Sequence, residues 1–148
     1  MPASFRSAEG AGWVWAQFAL MAVVLVLGAV PPVWPGWLRV GGVPLILGGL
    51  ALGIWSGRAL GPALTPCPLP SEEAALVERG PYGLFRHPIY VAGVLLFLGY
   101  GLLASVPATI AVTALAVLWH FKAGVEERHL EERFPGYEDY RRRVFRGI

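Results

Sequence analysis

Charge is scarce in this chain. Only 15% of its 148 residues are Asp, Glu, Lys or Arg, whereas soluble globular domains carry roughly 25%. With 55% of the residues hydrophobic, that deficit excludes an ordinary water-soluble domain and points to lipid. Cysteine is nearly absent too: Cys67 stands alone, which excludes an intrachain disulfide and reads as an incidental loop residue. No repeat of 20 to 50 residues and no low-complexity tail is visible, and the length suits one domain rather than two. No basic surface is interleaved with aromatics in the manner of a nucleic-acid binder, so no nucleic-acid partner is expected.

Where charge is missing, spans are expected. No Asp, Glu, Lys or Arg lies between Gly10 and Leu38, between Val40 and Gly57, or between His87 and Phe121. A crossing helix needs about 20 apolar residues at about 1.5 Å each, so the first two gaps hold one span apiece, near 13–30 and 40–57. The third gap would make a single helix of about 52 Å, far beyond a hydrocarbon core of about 30 Å, and must fold back. Ser105-Val106-Pro107 supplies the break, because serine caps a helix start and proline is tolerated in a first turn. The pattern predicts a hairpin of 89–104 and 106–121, with a loop over 58–88 and a tail over 122–148.

Four spans place both ends of the chain on one side. Eleven basic residues, including Arg6, Arg58, Arg79, Arg86 and the seven from Lys122 onward, fall on that side, and only Arg39 falls on the other. The positive-inside rule makes the rich face cytoplasmic, and the expected location is an inner or plasma membrane. The first apolar run is too long for a secretory signal, and Leu27-Gly28-Ala29 lacks a cleavage pattern, so it is read as a helix. Gly49, Gly53, Gly57 and Gly61 are spaced four apart and form a small-residue face, suited chiefly to intramolecular helix packing.

In the loop, prolines at 62, 66, 68, 70 and 81 forbid a long helix, while Ser71-Glu72-Glu73 predicts a short one reaching about Glu78. Beyond Phe121 the last helix is expected to run on into water to Phe134, with charge on every face, until Pro135-Gly136 ends it. The tail from Tyr137 to Val144 is aromatic and basic and can be read as an anchor to anionic lipid. Because the hairpin brings its two ends to one membrane face, the polar groups Tyr82–Tyr90 and Glu126–Arg146 are expected to be neighbours.

These motifs, in this order, resemble the isoprenylcysteine carboxyl methyltransferase family and its phospholipid methyltransferase relatives. The resemblance rests on Gly80-Pro81-Tyr82, on Arg86-His87-Pro88-Ile89-Tyr90 with Gly93, and, after the hairpin, on Glu126-Glu127, Leu130, Phe134, Tyr137, Tyr140 and Val144. It covers about 64–146. It implies an all-α integral membrane protein whose cytoplasmic loop and C-terminal tail form a site for S-adenosylmethionine, leaving S-adenosylhomocysteine as product. It also implies cofactor contacts from Tyr82, His87, Pro88, Tyr90, Gly93, Glu126, Tyr137 and Tyr140, with Arg86 and Glu127 as catalytic residues. Two departures stand out: Phe134-Pro135-Gly136-Tyr137 is one residue tighter than the commoner spacing, and Phe145 replaces a proline.

The residues suit that chemistry. Methyl transfer from a sulfonium is an in-line displacement governed by orientation and exclusion of water, and needs no nucleophilic side chain. Arg86 can hold a carboxylate in a two-pronged fork, Glu127 can pair with an amino group or with Arg86, and tyrosines can face a sulfonium. The expected partners are membrane lipid and a lipophilic acceptor, either a carboxylate such as a prenylcysteine-like group or a lipid amine. Duller readings stand beside these: Arg86 as a topological anchor, His87 as a turn residue before proline, the glutamates as surface pairs, the tyrosines as interfacial aromatics and His120 as a packed residue. Competing functions are an NADPH-dependent sterol-reductase-like enzyme, a metal oxygenase suggested by the spacing of Glu126 and His129, and a scaffold without activity.

Overall fold

Ser105 shapes the C-terminal half of the chain. Its backbone is extended and its side chain accepts a hydrogen bond from the Ala108 amide, so one helix stops at Ala104 and another starts at Val106. Its hydroxyl also donates to the Leu27 carbonyl at 2.7 Å, tying this corner to the first helix. The computed structural model describes the backbone of residues 3–65, 67 and 75–148, and side chains from Gly10 onward. Six helices are described: α1 (Ala3–Leu27), α2 (Gly36–Val40), α3 (Gly42–Leu60), α4 (Pro88–Ala104), α5 (Val106–Arg133) and α6 (Tyr137–Arg143). Three-residue-per-turn segments at Gly61–Ala63 and Gly80–Gly83 punctuate the loop.

This is an all-α membrane protein. The helical stretches Gly10–Leu27, Gly36–Ala63 and Val106–Arg133 are long and apolar enough to cross a bilayer, and α4 is a shorter apolar helix. At about 42 Å, α5 is longer than a hydrocarbon core of about 30 Å. Helices α3, α4 and α5 pack in sequence, and α1 closes against α5. Val24, Phe97, Val112, Leu115 and Trp119 form the buried core, while Trp15, Leu47 and Ile110 lie exposed where acyl chains would meet them.

The α3–α4 crossing depends on missing side chains. A Cβ on Gly99 would lie 2.6 Å from the Gly42 carbonyl oxygen, and one on Gly49 would lie 2.8 Å from that of Ala92. Backbones therefore touch directly, as small residues allow between membrane helices. Toward the loop the helices separate, since a Cβ on Gly53 would meet only Ala92 Cβ, at 3.6 Å. Gly61 does not join this face: its positive φ of 56° ends α3 instead.

The structure revises three expectations. The predicted helix from Ser71 falls partly on 71–74, outside the described residues, and Ala75–Glu78 is not helical. The extension of α5 is not solvated all round, because Lys122, Ala123, Val125 and Glu127 are buried. Nor do the tail's aromatics face outward: Tyr137 and Tyr140 are almost fully buried and pack with Val144 against Leu76, Leu130 and Phe134, while Arg141, Arg142 and Arg143 stay exposed. A cluster of that size holds the tail by apolar burial, at about 25 cal/mol for each Å² removed from water.

Candidate active site at the membrane face

The site is assembled by one short backbone contact. Phe85 and Phe145 form an isolated parallel bridge, and the Arg86 amide donates to the Phe145 carbonyl at 2.8 Å. The end of the tail is thereby laid beside the turn that enters α4. His87, directly before Pro88, is held out of the helical region at φ −125°, ψ 60°, so it caps α4 and its ring turns toward α5.

Glu126 and Glu127 are consecutive on α5 and therefore point about 100° apart. Glu127 meets three basic side chains with one oxygen: Arg86 Nη1 at 2.8 Å, His87 Nε2 at 3.0 Å and Arg146 Nε at 3.4 Å. Glu126 accepts from the Tyr90 hydroxyl at 3.1 Å and lies 3.5 Å from His87 Nδ1. Each imidazole nitrogen thus faces a different carboxylate. Tyr90 stacks with both His87 and Trp119, at ring-centroid distances of 5.6 and 5.9 Å. On the tail side, the Tyr140 hydroxyl donates to the Tyr82 carbonyl at 2.8 Å, and Arg143 pairs with Glu78 at 2.9 Å.

A cavity of about 90 Å³ opens beside these groups, with Tyr82, Arg86, Glu126 and Tyr140 as its polar wall and Leu130 and Phe134 among its apolar ones. It shares Leu60, Ala63, Ala75 and Val77 with an adjoining cleft of about 520 Å³. Cys67, half-buried, also lines the cavity. Arg86 Nε and the Tyr137 hydroxyl are buried without a well-formed hydrogen bond, although the two side chains lie together. Buried polar atoms without partners are uncommon and mark a place where a ligand can complete the network.

Burial alone would depress the His87 pKa, but the hydrogen bonds and charges of Glu126 and Glu127 outweigh it and raise the pKa above 6.5. Burial alone would raise the Glu127 carboxyl; the His87 bond and the charges of His87, Arg86 and Arg146 instead hold it below 4.5. Desolvation pushes the Tyr140 hydroxyl up to about 12, so it stays a donor at neutral pH. The raised His87 value contributes stability that is complete below pH 6.5 and is lost as pH rises through the folded-state pKa. The lowered Glu127 value contributes stability that is present above pH 4.5 and is lost as pH falls through its own. Melting temperature should therefore peak between these limits, and His87→Gln should flatten the alkaline decline. Melting curves from pH 4 to 9 test this; an unchanged alkaline slope in the variant would refute the linkage.

Of the residues singled out in the sequence, Tyr82, Arg86, Glu126 and Tyr140 line the cavity, while His87, Tyr90, Glu127 and Tyr137 support that wall from behind. Pro88 is buried in the first turn of α4. Gly93 is not brought to the cavity. A Cβ there would lie 2.6 Å from the Trp119 ring, so a glycine at this position lets α4 and α5 pack closely. His120 meets Arg146, whose Nη2 donates to the His120 carbonyl at 3.0 Å, and His129 Nδ1 contacts the Val125 carbonyl of its own helix. Sequence reasoning missed Arg146 and Lys122. Arg146 looked like one more basic tail residue, and only the Phe85–Phe145 bridge carries it to Glu127.

The chain is similar to several known proteins. The chain is 43% identical over 71 residues to the cobalt-zinc-cadmium resistance protein CzcN of Cupriavidus metallidurans, covering 47% of this chain and 33% of that protein. It is 36% identical over 75 residues to the nickel-cobalt-cadmium resistance protein NccN of Alcaligenes xylosoxydans xylosoxydans, covering 49% and 35%. The matches thus span about a third of the length of these curated relatives. The fold is similar to that of the eukaryotic intramembrane Ras methyltransferase ICMT (isoprenylcysteine carboxyl methyltransferase), with a TM-score of 0.65 and 24% identity over all of this chain and 53% of that one. Residues 37–136 match the family model of phospholipid methyltransferases, and the chain belongs to that family.

Proposed function

We propose that this protein is an S-adenosylmethionine-dependent methyltransferase acting on a lipophilic acceptor, a carboxylate or a lipid amine, at the cytoplasmic face of the membrane. The observation that carries the reading is the cavity where Arg86 and Glu126, of opposite charge, share a wall with Tyr82 and Tyr140 at the end of the apolar helices. The residues fit the cofactor's chemistry: a carboxylate for its amino group, a guanidinium with an unpartnered Nε for its carboxylate, and aromatic faces for a sulfonium. Glu126, Arg86, Tyr82 and Tyr140 would hold it. When bound, S-adenosylmethionine supplies an electrophilic methyl group that leaves with the sulfur retaining the bonding electron pair.

The chain's own residues orient the acceptor and keep water away. A carboxylate acceptor is already ionised near neutral pH and needs no base. A lipid amine must first lose a proton before it can attack. A groove of about 480 Å³ between α3 and α4, floored by Gly49, Gly53 and Gly57, gives an apolar chain a place beside the site. The excess of basic residues on the same side as the site supports its cytoplasmic orientation.

Titration calorimetry in detergent and in lipid nanodiscs tests the assignment. Both S-adenosylmethionine and S-adenosylhomocysteine should bind, and NADPH should leave the melting temperature unchanged. Folded protein that binds neither sulfur compound in either medium would end the methyltransferase reading.

A further inference from the structure

The matched family segment begins at residue 37, yet the site is braced from α1, which precedes it. Gln17 is buried there, and its side-chain oxygen accepts from Lys122 Nζ at 2.5 Å and from Trp119 Nε1 at 3.3 Å. Lys122 is fully buried on α5, one turn before Glu126 and on the same helix face. Its ammonium lies 5.6 Å from the centre of the Tyr90 ring. Trp119 stacks on that ring from α5, and the Tyr90 hydroxyl reaches Glu126. An unbroken set of contacts therefore runs from Gln17 through Lys122 and Trp119 to Tyr90, and from Tyr90 to Glu126 and His87.

We propose that Gln17 and Lys122 are positioning residues of the site, fixing the Tyr90 ring and, through its hydroxyl, the Glu126 carboxylate on the cavity wall. Burying an ammonium in a helical bundle is unfavourable unless it is hydrogen-bonded, so Lys122 takes one defined position, and Gln17 helps to set it. The aromatic stack passes that position on. Tyr90 stacks with both His87 and Trp119, and a shift of either shifts the hydroxyl whose hydrogen bond Glu126 accepts.

The test compares two inter-segment hydrogen bonds at opposite ends of the bundle. Gln17→Leu removes the tie near the site, whereas Thr109→Val removes the bond that Thr109 Oγ1 accepts from Trp34 Nε1 at 2.9 Å, far from it. Per folded molecule, Gln17→Leu should lower turnover about tenfold or more, the scale on which small misplacements act, while Thr109→Val stays within about twofold of the parent. Gln17→Glu, which keeps an oxygen acceptor of the same length, should retain at least about half of the turnover. Should Gln17→Leu not fold, the milder Gln17→Asn takes its place in the same comparison. Because the turnover arm rests on the methyltransferase reading, a second arm does not: with carbon-13 in histidine Cε1, the His87 resonance, which senses the stacked Tyr90 ring, should move in Gln17→Leu and stay in Thr109→Val. Turnover no lower in Gln17→Leu than in Thr109→Val, or an unmoved His87 resonance, would overturn the proposal. A moved resonance in a protein without methyl transfer would uphold the positioning role and reject the activity.

Discussion

Glu127→Gln is expected to damage both stability and turnover, more than any other single polar substitution in the site. One Glu127 oxygen faces Arg86, His87 and Arg146, and the amide would leave these basic groups without their shared anion. Removing one partner from a buried charge cluster costs about 3–5 kcal/mol, although the carboxylate here retains slight solvent access and the lower end applies. Losing a charge-assisted hydrogen bond adds about 1.5–3 kcal/mol to binding or to the barrier, roughly 10- to 150-fold in rate. Glu132→Gln, on the exposed side of the same helix, should change stability by no more than about 0.5 kcal/mol. Glu126→Gln separates the two effects: its carboxylate lines the cavity and its hydrogen-bond donor is Tyr90, so turnover should fall with a smaller loss of melting temperature. Melting and turnover measured together decide. Small and equal losses for Glu127→Gln and Glu132→Gln would show that the three-way contact does nothing beyond decorating the helix.

Gly99→Val should fail through packing rather than charge. The new Cβ would lie 2.6 Å from the Gly42 carbonyl oxygen and 2.9 Å from the Ile46 amide, and backbone atoms on α3 cannot swing aside as a flexible side chain can. Overpacking of this kind costs about 1–3 kcal/mol, with the upper end expected where the obstacle is main chain. Gly48→Ala is the matched control, because nothing stands within 4 Å of its Cβ position and the added methyl favours the helix by up to about 1 kcal/mol. Thermal unfolding in detergent would reveal the difference; a Gly99→Val protein that melts with the parent would mean that α3 and α4 do not cross as described.

What could be read from the sequence follows from how local each signal is. The break at Ser105 was legible because capping and the tolerance for proline act within a few residues, and α5 does begin there. The all-α membrane fold was legible because it rests on where charges are missing. Arg86, His87 and the two glutamates could be grouped because a short hairpin returns its ends to the same face. Gln17 could not be linked to Lys122, since 105 residues separate them and nothing in a lone amide names its partner. Lys122 itself imitates an interfacial anchor in the sequence, being the first charge after a long apolar run, and only the packing of α1 on α5 shows it to be buried. Gly93 stands within a recognisable motif, and the sequence does not show that Trp119 packs directly against it.

The Gln17–Lys122 contact also bears on how the protein is made. A ribosome adds about 5–20 residues per second, so the 105 positions between them take roughly 5–20 seconds to appear. Throughout that interval α1 carries an amide among apolar residues before its lysine partner exists. Early in biogenesis the helix must therefore rest on its hydrophobicity alone, with Trp15, Phe18 and Leu25 turned outward, and the site can be completed only after α5 has followed it into the bilayer.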